Sequence, residues 1–480
     1  MSITYDKLFI GGAWVAPSSA ATITVTSAST EEVIGAVPEA RPTDVDAAVA
    51  AARRAFEDPQ GWSRWEPERR AAAMESLAVQ LELRNDEMAR RVSSQNGLPI
   101  SISGQLEGGF PLTVLRFYAD LVKNATTEES RPHLFGGTTT VLREPMGVAA
   151  AIAPFNFPQT LASLKHGPAL AAGCTLVLKP SPDTVLDAFL FAEAVAASDI
   201  PPGVVNVVTG GGEVGAYLVS HPGIDRVGFT GSTPAGRHIA EACGRLLRPV
   251  SLELGGKSAA IVLDDADLDL ATIGQELYGA ILLNAGQTCY LGTRVLAPRS
   301  RYAEVVDSLA AFVSSLTVGD ALDPKTLIGP MVSQAHRARV EQYIAKGRDQ
   351  ARLVTGGGRP AGLDRGWFVE PTLFADVDNS STIAQEEIFG PVLCVIPYTD
   401  EDDAVRIAND SDYGLGGSVW TTDPERGQAV ARRIDTGSVG INRYIPDPGA
   451  PFAGRKTSGI GLELGPEALS TYQTFKSIYS

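Results

Sequence analysis

The sequence runs to 480 residues, 44% hydrophobic and 20% charged, which suits a multi-domain globular protein and excludes the disordered and fibrous classes. A formal charge of −16 argues against nucleic-acid and anionic-membrane partners, both of which demand a basic face. Cys174, Cys243, Cys289 and Cys394 lie far apart, with no CxxC pair and no histidine at zinc spacing, so no metal site and no disulfide framework are expected.

In chain order, "KLFIGGAWV" (7–15) reads as two short strands turning at Gly11-Gly12. "MSITYDKLFIGG" lacks a basic stretch followed by an apolar one, so no signal peptide is expected. Thr43 is placed as the N-cap of a helix in which Val45, Ala48, Val49, Ala52 and Phe56 recur at helical spacing. One long helix is expected from Pro67 to Arg91, stopped by Asn96-Gly97. From Val148 short apolar strands alternate with helices: "VAAAIAP", a helix over 159–172 closed by Gly173, "TLVLKP", a helix over 183–198, "GVVNVV", a helix after "GGGEVG", "DRVGFTGS", another helix, "VSLEL" and "SAAIVL". Such alternation predicts βαβ units and a parallel sheet covered on both faces, a doubly wound, Rossmann-like domain. A second α/β stretch starts near Asp264 and includes the helix "DLDLATIGQELYGAILL", the strand "TRVLAP" and the helix "RYAEVVDSLAAFVSSL". "GGTTTVLRE" and the tail "TYQTFKSIYS" alternate like strands and predict a small sheet with an edge open to a partner chain. No run of about eighteen apolar residues suggests a membrane span.

Several motifs bear on chemistry. "GGGEVG" (210–215) satisfies G-x-G-x-x-G, but it follows a late strand and Asp225 comes too soon to be the acidic ribose partner. "FTGSTPAG" (229–236) is the better anion site, because Gly231 and Ser232 end an apolar strand and open a helix. Glu253, between Leu252 and Leu254, is expected to be desolvated and raised toward general-base range, against the alternative of a salt-bridged structural glutamate. Asn156 in "PFNFP" offers an amide for an oxyanion, or is a turn residue. Lys179 closes a strand at the end where doubly wound folds bind ligands. Cys289 in "LNAGQTCYLG" follows a glycine turn and is either a nucleophile or core filler.

In this order and spacing "PFNFP", "KPSP", "FTGSTPAG", "LELGGKS", "NAGQTC", "EEIFGPV" and "PFAGRKTSG" resemble the NAD(P)-dependent aldehyde dehydrogenase superfamily, hydrolytic branch, over essentially the whole chain. The resemblance implies an α/β fold with a Rossmann-like cofactor domain (1–121 and 145–254), an α/β catalytic domain (255–462) and a small β oligomerisation arm (122–144 and 463–480). It implies Cys289 as nucleophile, Glu253 as general base, Asn156 as oxyanion donor and Lys165 near the nicotinamide. Ile152, Phe155, Lys179, Ser181, Phe229, Gly231, Ser232, Leu254, Glu387 and Phe389 would bind the cofactor, with Gly212 and Gly215 near the adenine. Phe157, Leu161, Leu164, Thr288, Tyr290, Tyr444 and Phe452 would line an apolar, aromatic channel for a medium aliphatic, terpenoid or arylalkyl aldehyde. The resemblance implies a homodimer or homotetramer with a small-molecule aldehyde as its partner, and the scattered cysteines and missing signal peptide lead us to expect it in the cytoplasm.

Departures from the family pattern bear on specificity. Pro182 stands where many NAD-preferring members carry a ribose-binding Glu, which leaves NADP open; NAD is favoured because no arginine appears in the motif. His336 replaces a common Gln, Gln95 a frequent Glu, and Leu462 a usual Arg. Arg443 is read as a surface arginine, with carboxylate recognition of a semialdehyde as the alternative. A CoA-acylating enzyme and a catalytically retired scaffold of the same fold are the competing readings.

Overall fold

The computed structural model describes residues 2–480. Its first sheet has eight strands, ordered Gly459–Ile460, Val250–Glu253, Arg226–Thr230, Val148–Ile152, Thr175–Lys179, Val205–Val207, Leu8–Ile10, Ala13–Val15. The five central strands are parallel. Val148–Ile152, Thr175–Lys179 and Arg226–Thr230 are buried along their whole length, as expected of strands covered on both faces. The winding reverses at Val148–Ile152: the next strand in sequence lies on one side, and Arg226–Thr230 and Val250–Glu253 follow on the other. Open α/β sheets bind ligands at such a switch point, beyond the carboxyl ends of the strands.

A second, seven-stranded sheet runs Arg352–Thr355, Thr372–Ala375, Val392–Tyr398, Arg294–Pro298, Ala259–Val262, Gly417–Trp420, Gly440–Ile441, parallel except at its first edge. The third sheet is antiparallel: the tail strand Gln473–Tyr479 pairs with Thr138–Pro145, which also pairs with Glu128–Pro132. Phe475, Ile478 and Tyr479 are exposed on it.

Local chemistry explains where the expected elements moved. The first long helix spans Pro42–Glu57, and its N-cap is Arg41, not Thr43; the Asp44 carboxylate accepts from the Arg41 N–H at 2.8 Å, and Pro42 begins the first turn. The helix expected over 67–91 is two, Pro67–Glu82 and Asn85–Asn96, broken at Leu83-Arg84. Gly97 (φ 83°) ends the second in a left-handed cap, and Gly173 (φ 90°) does the same for Pro158–Ala172. "SAAIVL" belongs to the second sheet, between Arg294–Pro298 and Gly417–Trp420, and not to the Rossmann-like one. Elements with no counterpart in the sequence reading include the polar helix Gln334–Gln350, the strands Thr372–Ala375 and Val392–Tyr398, and a π-helical turn, Gly104–Gly109, leading into the helix Phe110–Lys123.

Candidate active site

A cleft of about 700 Å³ opens between the two large sheets at the switch point. Ile152 and Lys179 reach it from strand ends, Phe155 and Asn156 from the following loop, and Phe229, Gly231, Ser232 and Leu254 from the other side of the switch. Ser181 and Pro182 line it as well, and Cys289, His336, Glu387 and Phe389 come from later in the chain. Gly212 and Gly215 lie outside this lining: Gly212 begins the helix Gly212–Ser220, and a Cβ at Gly215 would stand 3.3 Å from Lys179 Cε.

The lining fits a nicotinamide dinucleotide. Ser232 caps the helix Thr233–Arg245, its Oγ accepting from the Ala235 N–H at 3.4 Å, and that helix aims its positive end at the cleft as a phosphate seat. The Lys179 ammonium donates to the Pro180 carbonyl at 2.9 Å, and burial brings its pKa down to about 8. Phe155, His336 and Phe389 meet edge to face, with centroids 5.8–5.9 Å apart. His336 Nε2 lies 2.7 Å from the Phe389 carbonyl, and burial lowers its pKa against the opposing influence of that carbonyl. Phe389 holds a left-handed φ of 61°, a strained conformation of the kind that clusters at functional sites.

Cys289 is half-buried and follows a loop with left-handed backbone at Asn284 (φ 55°), Ala285 (φ 52°) and Gly286 (φ 77°). Side chains hold this loop in place. Asn284 Nδ2 donates to the Asn156 carbonyl at 3.1 Å, Asn156 Nδ2 donates to the Gln287 carbonyl at 2.9 Å, and Gln287 Oε1 accepts from the Val332 N–H at 3.0 Å. Gly256 is required below it, because a Cβ there would meet the Cys289 carbonyl oxygen at 2.3 Å. Burial drives the Cys289 thiol above its usual pKa, the Glu387 and Glu253 carboxylates push it further, and the N–H groups of Cys289 and Tyr290 pull the other way. The resting group is therefore a thiol, and nucleophilic attack requires a base.

Glu253 ends the strand Val250–Glu253 just behind the wall formed by Leu254 and Gly255, and neither of its oxygens has a hydrogen-bond partner. Burial raises its carboxyl well above the ordinary range; Glu463 adds to the rise and Lys165 opposes it. Lys165 does not line the cleft. It is fully buried on the helix Pro158–Ala172, 2.8 Å from Glu463 Oε1, and donates to Thr230 Oγ1 at 2.6 Å and to the Leu161 carbonyl at 3.1 Å. Glu387 sits against Gly255-Gly256, accepting from the Gly256 N–H at 2.9 Å, and burial lifts it to about 7. Sequence reasoning passed over Glu463, although "LEL" at 462–464 repeats the signal that singled out Glu253: one carboxylate between two leucines.

None of the residues expected to form the substrate channel lines this cleft: Phe157, Leu161 and Tyr290 pack with Leu283 and Leu291, and Tyr290 stacks on Tyr444 at 4.3 Å. The Tyr444 hydroxyl bonds to that of Ser438, and Thr288 Oγ1 donates to the Leu283 carbonyl at 3.0 Å. Phe452 is tied to Glu463 by two backbone bonds of 2.7 and 2.8 Å. Leu164 packs into the core against the first sheet, and Arg443 is exposed. Cys174, Cys243 and Cys394 are buried and unpaired, as expected of packing residues.

The model of the aldehyde dehydrogenase family matches residues 14–478. Geranial dehydrogenase of Castellaniella defragrans is 55% identical, covering 100% of this chain and 99% of that protein. The 3-succinoylsemialdehyde-pyridine dehydrogenase of a Pseudomonas species is 41% identical, covering 99% and 98%. Among solved structures, a Mycobacterium tuberculosis aldehyde dehydrogenase complexed with NAD+ superposes with a TM-score of 0.97 at 48% identity, covering 100% and 99% of the two chains. A mutant of aldehyde dehydrogenase C from Pseudomonas syringae, complexed with NAD+ and octanal, gives 0.94 at 41% identity, covering 99% and 96%.

Proposed function

The chain belongs to the aldehyde dehydrogenase family and oxidises an aldehyde to a carboxylic acid with NAD(P)+; we propose that Cys289, Asn156, Glu253 and Lys165 carry that reaction here. The observation that supports this most is the convergence of Cys289 and Asn156 on one cleft, with the unpaired carboxylate of Glu253 immediately behind its wall. Cys289 Sγ gives up its proton to solvent in the cleft as it bonds to the carbonyl carbon, and the oxygen gains negative charge. The Cys289 N–H and the Asn156 amide donate to that oxygen, a preorganised stabilisation worth about 3 kcal/mol per donor. NAD or NADP, bound by the lining residues named above, supplies the hydride acceptor. Glu253 takes a proton from the water that hydrolyses the thioester on Cys289, and the Lys165 ammonium, held by Glu463, opposes the rise of its carboxyl.

Tyr290, Tyr444, Phe157, Leu161, Thr288 and Phe452 are proposed as the aldehyde channel, with Leu164 supporting it from the core. An apolar, terpenoid-like or medium-chain aldehyde suits this surface, in line with the geranial and octanal named for the relatives. The exposed Arg443 does not commit the site to a carboxylated substrate. We assign 1–121 and 145–254 to cofactor binding, 255–462 to catalysis, and 122–144 with 463–480 to a homo-oligomerisation arm, whose exposed Phe475, Ile478 and Tyr479 would face a second copy in a dimer or tetramer. No helix among the described residues is long and apolar enough to cross a membrane, and the four unpaired cysteines suit the cytoplasm.

The test is reduced-nucleotide formation with NAD and NADP over an aldehyde panel without CoA, beside Cys289→Ala. Turnover with apolar aldehydes that the substitution abolishes is expected. Turnover only after CoA is added would instead favour an acylating enzyme, and silence under both conditions a retired scaffold.

A further inference from the structure

The helix that follows Asn156 starts without a local cap. Its N-cap residue is Phe157, whose side chain cannot accept a hydrogen bond, and Pro158 is the first helical residue, so the N–H groups of Gln159 and Thr160 need acceptors from elsewhere. They find one in Glu107, more than fifty residues earlier: Oε2 accepts from the Gln159 N–H at 2.8 Å, and Oε1 from the Thr160 N–H at 3.4 Å. Glu107 is 1% exposed and lies in the π-helical turn Gly104–Gly109. Such turns insert one residue into a helix and re-aim its neighbours. The turn is closely fitted, because a Cβ at Gly108 would fall 1.5 Å from Asn85 Oδ1.

The other groups around this segment are also fixed. The Gln159 side chain donates to Asp187 Oδ2 at 2.6 Å, and Asp187 Oδ1 accepts from Gln95 Nε2 at 2.9 Å. Asn96 Nδ2 donates to the carbonyls of Phe155 and Asn156 at 3.0 and 3.1 Å. Residues 155–160 are thus held from both ends, and Glu107 is the only carboxylate bonded to their backbone N–H groups among the described residues.

We propose that Glu107 is a positioning residue for the oxyanion donor: by capping the helix Pro158–Ala172 it sets the angle at which the chain leaves Asn156, and so aims the Asn156 amide beside Cys289. The proposal rests on Asn156 being the oxyanion donor. An oxyanion hole works only when its donors are already in place, and displacement of a reacting group by about 1 Å costs on the order of a hundredfold in rate.

The test is hydrolysis of an aryl ester by the full-length protein without nicotinamide cofactor, which reads acyl transfer to Cys289 apart from hydride transfer. Glu107→Ala and Glu107→Asp are measured in the native and Asn156→Ala backgrounds, with Glu107→Gln as the conservative variant. Glu107→Asp withdraws the acceptor by about one methylene while keeping the carboxyl group, and reports even where Glu107→Ala fails to fold. Both are expected to lower kcat at least about tenfold with KM within about threefold, while Glu107→Gln, which keeps an acceptor for Gln159, stays within about threefold of the native rate. In the Asn156→Ala background neither should cost more than about a further twofold, because the group they aim is gone. Losses that multiply across the two backgrounds would overturn the positioning role while leaving Asn156 as the donor. An Asn156→Ala enzyme at native rate would overturn the oxyanion reading, and the proposal with it.

Discussion

Replacing Lys165 by methionine should change stability and catalysis together, by amounts the structure makes calculable. The side chain is fully buried, 2.8 Å from an almost equally buried Glu463 and 2.6 Å from Thr230 Oγ1. Methionine fills the volume but strands the Glu463 carboxylate, and removing one partner of a buried pair costs about 3–5 kcal/mol. A chain of this length melting as one unit has an unfolding entropy near 1 kcal/mol/K, so Tm should fall by about 3–5 °C. Adding Glu463→Gln removes the stranded charge and should restore most of that loss, leaving about 1 kcal/mol for the missing bond to Thr230. Catalysis moves with it. Lys165 opposes the rise in the Glu253 carboxyl, and Glu253 acts in its ionised form. Lys165→Met must therefore shift the ascending limb of the deacylation–pH profile to higher pH. The double variant, which also loses the raising influence of Glu463, should bring the limb back to the native position or below. The assays are thermal melts and single-turnover acyl-enzyme decay across pH. Equal melting of single and double variants, with unmoved limbs, would refute the electrostatic link between Lys165, Glu463 and Glu253.

Glu387→Gln removes the carboxylate that, after burial, pushes the Cys289 thiol up most, so iodoacetamide alkylation of the cofactor-free protein should shift to lower pH; an unmoved profile would discount Glu387 as a brake on the thiol. Gly256→Ala places a methyl 2.3 Å from the Cys289 carbonyl oxygen and should lower kcat by about a hundredfold, with expression and melting showing whether the fold survives. Tyr444→Ala removes the 4.3 Å stack on Tyr290 and should raise KM for an apolar aldehyde by about tenfold while sparing cofactor affinity, checked by steady-state kinetics beside cofactor titration.

What the chain disclosed in advance follows from how local each signal was. The parallel strands of the first sheet are short apolar runs with helices between them, and Gly97 and Gly173 punctuate where a left-handed residue is needed, so these could be read directly. Cys289, Asn156 and most of the cofactor positions sit in contiguous motifs at strand ends, and the fold brings them to one cleft. The run "SAAIVL" announced a buried strand but not its sheet, because an apolar strand looks alike between any two neighbours. Gln334–Gln350 buries only Val340, Tyr343, Ile344 and Gly347, too few to mark a helix by periodicity, yet it delivers His336 to the cleft. The break at Leu83-Arg84 carries neither glycine nor proline. Glu107 and Glu463 act through partners roughly 50 and 300 residues away, and no local pattern records such pairings.

The central claim is covalent catalysis by Cys289 with hydrolysis driven by Glu253, and it is tested most directly by intact-protein mass spectrometry of Glu253→Gln mixed with an apolar aldehyde and NAD. The account predicts a burst of about one reduced nucleotide per site, then near-arrest, with the protein heavier by one acyl group that peptide mapping places on Cys289. Undiminished steady turnover by Glu253→Gln, or a burst with Cys289 unmodified, would contradict it.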